Sequence, residues 1–222
     1  MINSMEKPTL TLVVPCWGRP ARTRRLINNV LAQTENNWEA FIIGDSCPIF
    51  QTLIDSGEAD FYMNLAKEKG NKLYISNASS HTGKWGYLIT DQIIDRAQGE
   101  YFIFAGNDDI LKPNHFSHYL SEIRGTDLDL VAYPMNMMPL NYILYPSWES
   151  CKVGHGNIIF KTSFLQSLPK APPSPTHDWT LINEALTRTT KIKIADSKEC
   201  TYLVTSVNSQ TENESRKIDI ID

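Results

Sequence analysis

The chain has 222 residues, 41% of them hydrophobic, and its 21 basic and 25 acidic side chains leave a formal net charge of -4. That length suffices for one well-cored domain, and the composition is globular. The charge balance lacks the basic excess of a nucleic-acid or membrane-surface binder, so nucleic acid ranks low among expected partners.

The four cysteines, Cys16, Cys47, Cys151 and Cys200, are widely spaced, the pattern of a reduced chain rather than a disulfide framework or a zinc site. The opening residues lack a long apolar run followed by a small-residue cleavage site. No apolar stretch approaches the roughly 20 residues that span a bilayer. A soluble, cytoplasmic protein is expected; its oligomeric state is left open.

Leu10 to Pro15 (LTLVVP) is a near-continuous apolar run, the mark of a strand buried on both faces. Leu26, Ile27, Val30 and Leu31 then recur at helical spacing within Arg22 to Gln33. Phe41 to Gly44 predicts a second buried strand ending at Asp45, and Lys72 to Ser76 a short third. Leu88, Ile89, Ile93, Ile94 and Ala97 form one helical stripe after Trp85. Tyr101 to Ala105 (YFIFA) predicts a fourth buried strand, running at once into Gly106, Asn107, Asp108 and Asp109. Alternating strands and helices imply an α/β fold, with a mostly parallel, Rossmann-like sheet flanked by helices.

The second half changes character. A helix through Phe116, Tyr119, Leu120 and Ile123 follows Pro113, with His115 and His118 expected on its surface, and Leu128 to Tyr133 predicts a strand. Pro134 to Glu149 reads as loop with one short strand, and Asn157 to Phe160 is strand-like. Lys170 to Pro175 is too rich in proline for regular structure. A helical pattern resumes from His177 to Leu186, and the polar segment 206–222 is expected to fray. The expected division is a nucleotide-binding half over 1–112, an acceptor-side half over 113–205 and the polar tail, all within one domain.

In an open parallel sheet, ligands bind beyond the carboxyl ends of the strands. Three strands end in candidate groups: Trp17-Gly18-Arg19 after the first, Asp45 after the second, Asn107-Asp108-Asp109 after the fourth. Adjacent carboxylates repel, and a divalent cation relieves them; an oxygen-only ligand set suits magnesium or manganese bridging to phosphates. A solvated turn ending a strand uses the same residue types.

Asp45 could accept the ring N–H of uracil or guanine, or simply cap a turn. Arg19, Arg22, Arg24 and Arg25 crowd the start of a helix, where cations oppose the dipole and a diphosphate would favour them. Arg19, nearest the strand end, is the first choice. Lys84, between two glycines in HTGKWG, is a further diphosphate or base contact. Asp178, opening a helix in HDWTL, serves either as an N-terminal helix residue or as a general base toward an attacking hydroxyl.

TLVVPCWGRPARTRRLINNVLAQT followed by WEAFIIGDSCP resembles the opening of family-2 glycosyltransferases, with an apolar strand, a proline, a helix and a strand ending in Asp. GEYFIFAGNDDILKP resembles their segment carrying DxDD, and GNIIFKTSFLQSL followed by HDWTL resembles their later strand, helix and (E/H)-D unit. The resemblance covers about residues 8 to 205. It implies a GT-A fold and an inverting transfer of a sugar from a nucleotide diphosphate, UDP favoured and GDP also accommodated, to a hydroxyl of a glycan or other acceptor. It further implies that Pro15 and Trp17 border the nucleoside pocket, that Asp45 reads the base, and that Asp178 is the base. Asp108 would bind Mn2+ or Mg2+, with Asn107 and Asp109 beside it. Two positions depart from the pattern: Gly106 replaces the first Asp of DxD, and His177 stands where Glu is common.

The alternatives are a nucleotide- or glycan-binding module without turnover, a glycosyltransferase acting on modified DNA bases, and a nucleotidyltransferase. The single glycine of CWGRPAR argues against the last, which usually opens with a Gly-rich loop.

Overall fold

The structure, a computed structural model, describes residues 7–83, 86–172, 174 and 176–205. In chain order the elements are β1 (Leu10–Cys16), α1 (Pro20–Leu31), β2 (Trp38–Gly44), α2 (Pro48–Asp55), α3 (Glu58–Glu68), β3 (Lys72–Asn77), α4 (Tyr87–Arg96), β4 (Tyr101–Phe104), β5 (Ile110–Leu111) and α5 (His115–Leu120). Then come β6 (Leu130–Ala132), β7 (Met135–Met137), β8 (Tyr142–Leu144), β9 (Ile158–Lys161), α6 (Thr162–Ser167), α7 (His177–Arg188), β10 (Ile192–Ile194) and β11 (Tyr202–Val204).

Seven strands form one sheet in the order β10-β6-β9-β4-β1-β2-β3. All neighbours run parallel except β9, which pairs antiparallel with both β4 and β6. The expected α/β architecture is therefore present, and strands from both sides of residue 112 share one sheet. The strands β5, β11, β7 and β8 form a second sheet in that order.

Alternation along β1 sends Leu10, Leu12, Val14 and Cys16 to one core and Val13 to the other. The first core is closed by apolar faces of α1, α2, α3 and α5, the second by those of α4, α6 and α7. Helices thus cover both faces, as a buried parallel sheet requires. At the amino end of the strands, buried Glu39 accepts hydrogen bonds from the Thr11 hydroxyl (2.7 Å) and from the backbone N–H groups of Gln98 (2.6 Å) and Gly99 (3.1 Å), tying β2 to β1 and to the approach to β4.

Several expectations are corrected. His115 and His118 are buried, not on a helix surface: α5 packs against Tyr133 and Tyr202, and burial lowers the pKa of His115 to about 3. The segment after Pro134 carries two short strands rather than one. The helices α2 and α3 and the strands β10 and β11 were not anticipated. The expected fraying from residue 206 lies outside the described residues.

Candidate active site at the carboxyl ends of the sheet

Because β4, β1, β2 and β3 are sheet neighbours, the three polar strand ends lie side by side. The chain leaves β1 through Gly18 (φ 60°) and Arg19 (φ 53°), both left-handed, before Pro20 opens α1. The N–H of Gly18 donates to Cys47 Sγ at 3.2 Å, joining this turn to the one after β2.

Asp45 continues the ladder past β2: its N–H donates to the Cys16 carbonyl at 2.9 Å. Its buried carboxylate accepts the Thr82 N–H through Oδ1 at 2.7 Å, while Oδ2 lies 3.0 Å from His81 Nδ1. The His81 ring packs on Trp17, centroids 4.4 Å apart and tilted by 40°. Trp17, Asp45 and His81 therefore form one group at the ends of β1 and β2. Pro15 packs directly on the backbone of Gly86, where a β-carbon would come within 2.4 Å of the proline ring. Lys84 lies outside the described residues.

The turn after β4 sends its three polar side chains in three directions. Asn107 Nδ2 donates to Thr23 Oγ1 on α1 at 3.2 Å. Asp108 forms an ion pair with the Arg19 guanidinium through Oδ2, with Arg22 Nη1 3.9 Å from the same oxygen. Arg25 donates to the Asp108 carbonyl at 2.7 Å.

Asp109 turns toward β11. It accepts the Tyr202 hydroxyl at Oδ2 (2.5 Å) and the Thr205 N–H at Oδ1 (3.2 Å). Burial, and then the Asp108 charge, push its pKa up to about 7. A β-carbon at residue 106 would sit 2.7 Å from Asp109 Oδ2 and 3.1 Å from Asp108 Oδ1. An aspartate at that position would crowd two carboxylates, which gives the glycine its physical reason.

Among the described residues no group of three His, Cys, Asp or Glu side chains is assembled around a common point for a metal. Asp108 nevertheless fits a cation, because its carboxylate already faces one, the Arg19 guanidinium. Asp109 is turned toward β11, where Tyr202 and Thr205 meet its two oxygens.

Asp178 lies in the first turn of α7. Its Oδ1 accepts the Trp179 N–H at 2.8 Å, and Oδ2 lies so close to Gly154 that a β-carbon there would be 2.9 Å away. Burial raises its pKa above the ordinary carboxylate value. Tyr87 is pushed up to about 12 by burial and by the Asp178 charge, which places the phenol near that carboxylate.

A run of rings links this helix start to β4. Phe104 stacks on His155 (4.2 Å, 10°), His155 meets His177 edge to face (5.7 Å, 81°), and His177 stacks on Tyr87 (4.0 Å, 11°). Burial lowers the pKa of both imidazoles, that of His155 to about 3. The structure thus brings Arg19, Asp45 and Asp108 to neighbouring strand ends, and the ring stack joins His177, the residue before Asp178, to Phe104 at the end of β4. Sequence reasoning did not single out Tyr87, Gly154, Tyr202 or Thr205. For Tyr202 the signal on offer was an aromatic residue opening the apolar YLV run, and it does not say what the ring touches.

No family model matches the chain. An uncharacterized glycosyltransferase of Rickettsia felis is 26% identical over 141 residues, 60% of this chain and 21% of that protein. The putative colanic acid biosynthesis glycosyl transferase WcaA of Escherichia coli is 28% identical over 169 residues, 76% of this chain and 52% of that protein. The chain therefore spans about half the length of these relatives or less. Among solved structures, S. aureus TarS 1–349 superposes with a TM-score of 0.71 at 16% identity, over 89% of this chain and 60% of that one. The mannosyltransferase PcManGT of Pyrobaculum calidifontis gives 0.67 at 13% identity, over 92% and 59%. In sequence the chain is similar to proteins named glycosyltransferases, and its fold is the one found in TarS and PcManGT.

Proposed function

We propose that the chain is a family-2, GT-A-type inverting glycosyltransferase that moves a sugar from a nucleoside diphosphate to a hydroxyl acceptor. The carrying observation is the shared edge of the sheet: Asp45 and the Arg19–Asp108 pair come to the carboxyl ends of β1, β2 and β4, and the ring stack joins His177, the residue before Asp178, to Phe104 at the end of β4. The relatives named glycosyltransferases support this reading. So do fold neighbours solved with UDP, with UDP-GlcNAc, and with GDP-mannose and Mn2+. UDP is the favoured donor nucleotide and GDP the second choice.

In this reading residues 1–112 bind the donor. Trp17 and Pro15 flank the nucleoside, Asp45 accepts the ring N–H of the base, and Arg19, with Lys84, meets the diphosphate. Residues 113–205 present the acceptor, a glycan or another hydroxyl compound. Asp178 takes the proton of the attacking hydroxyl as its oxygen bonds to the anomeric carbon. The bond from that carbon to the diphosphate breaks on the opposite face, so the configuration inverts. Burial suits Asp178 to this role, since a carboxylate with a raised pKa is a stronger base. Arg19 and Arg22 face the charge that grows on the leaving diphosphate. A divalent cation at Asp108, when bound, supplies further charge for that departure.

The test is Asp178→Asn. Transfer should fall by roughly 100-fold or more, the scale of a lost general base, while calorimetry should show nucleotide binding unchanged. Unaltered turnover would remove Asp178 from the reaction. Release of nucleoside diphosphate from the donor by the wild-type chain separates an enzyme from a binding module, which would release none.

A further inference from the structure

Arg19 is the residue whose backbone and side chain most need a common explanation. Gly18 and Arg19 are successive left-handed residues, and only the first is a glycine. A long side chain held at φ 53° carries a conformational cost that something must offset. The side chain ends on Asp108, whose own side chain is only 10% exposed. A carboxylate so buried is unfavourable without a counter-charge, and the guanidinium provides it. Arg22 stands 3.9 Å from the same oxygen, and the first turn of α1 holds no acidic residue that would draw either arginine elsewhere.

A guanidinium held at Oδ2 weakens the same carboxylate as a ligand for a divalent cation, because the two positive charges repel at close range inside a partly dry site. Release of Arg19 frees Oδ2 and lets the carboxylate offer both oxygens to a cation. A diphosphate entering beside α1 offers Arg19 an alternative partner of the right sign and geometry.

We propose that Arg19 is an exchangeable counter-ion that makes cation binding conditional on the donor. In the free protein it holds Asp108; when a nucleoside diphosphate arrives, the guanidinium passes to the diphosphate and frees the carboxylate for a divalent cation. Each negative group has a positive partner before and after the exchange, and no charge is left bare in either state. The inference rests on the diphosphate-and-cation reading given above.

Manganese binding to the full chain, followed through the electron paramagnetic resonance signal of free Mn2+, tests it with and without UDP or GDP. Wild-type protein should bind Mn2+ weakly alone and about tenfold or more tightly with nucleotide, a coupling of ordinary size between two ligands. Arg19→Gly places the residue suited to φ 53° there and removes the guanidinium. It should raise affinity for Mn2+ alone by about tenfold, on the same scale. Arg19→Asn, also tolerant of that backbone, should repeat the gain, so that a folding defect in one variant does not decide the matter. If both variants bind Mn2+ alone no better than wild type, the exchange is wrong. Asp108→Asn tells the two failures apart. If it abolishes nucleotide-dependent binding while the Arg19 variants match wild type, only the exchange falls. If it binds Mn2+ as wild type does, the cation site itself falls, and the exchange with it.

Discussion

Asp178 owes its chemistry to its surroundings. Burial at the start of α7, against Gly154, strips water from the carboxyl group, so the protonated form is favoured and the pKa rises above its ordinary value of 3.8. As the proposed general base, Asp178 works only when deprotonated. The rate of transfer should therefore fall as pH drops through this raised value, with the acid limb above the range of a solvated carboxylate. Initial rates across pH check this directly, and a limb at or below the ordinary value would contradict it. At the same scale, Asp45, Asp108 and Asp178 were legible in the sequence because a strand end or a helix start announced each. Asp109 was legible as a residue but not in its partners: it meets Tyr202 across 93 residues of chain, a contact that only the pairing of β11 with β5 and β7 creates. Gly106 read as a departure from a motif, and its reason emerges only once the two carboxylates beside it have positions.

At the scale of elements, α7 is held at its start by rings. His177 is fully buried, stacked on Tyr87 and set edge to face against His155, so the residue before Asp178 fixes the direction in which α7 begins. His177→Ala should lower unfolding stability by roughly 2–4 kcal/mol, the cost of emptying a buried aromatic site, and reduce transfer with it. His177→Phe keeps the stack and should restore most of both. Denaturant unfolding and kcat measured together check this, and equal loss in the two variants would show that stacking is not what matters. The long apolar strands and the stripes of α1 and α4 were legible because deep burial writes a continuous pattern. The helices α2 and α3 were not: α2 buries only Phe50 and Leu53, too few to mark a face. The strands β10 and β11 are three residues each, shorter than any alternation can signal.

At the scale of the whole molecule, the strand order assembles the candidate site. β1 and β4 are far apart in the chain yet pair directly, from Leu10–Tyr101 to Val13–Phe104. That pairing sets the turn carrying Arg19 beside the turn carrying Asp108, and β2 on the other side of β1 adds Asp45. The alternation of strands and helices made a parallel sheet legible. The antiparallel insertion of β9 was not, since nothing local in IIFK states which strands it will join.

With these strand ends side by side, the choice of nucleoside diphosphate is the most direct measure of what they do. Calorimetric titration with UDP, GDP and CDP in the presence of Mn2+ reads it. UDP or GDP, whose bases carry a ring N–H for Asp45, should bind, and CDP should bind at least about tenfold more weakly, the scale of one lost hydrogen bond to a charged group. If no nucleoside diphosphate binds, the strand ends are not a donor site and the proposed transfer has no substrate.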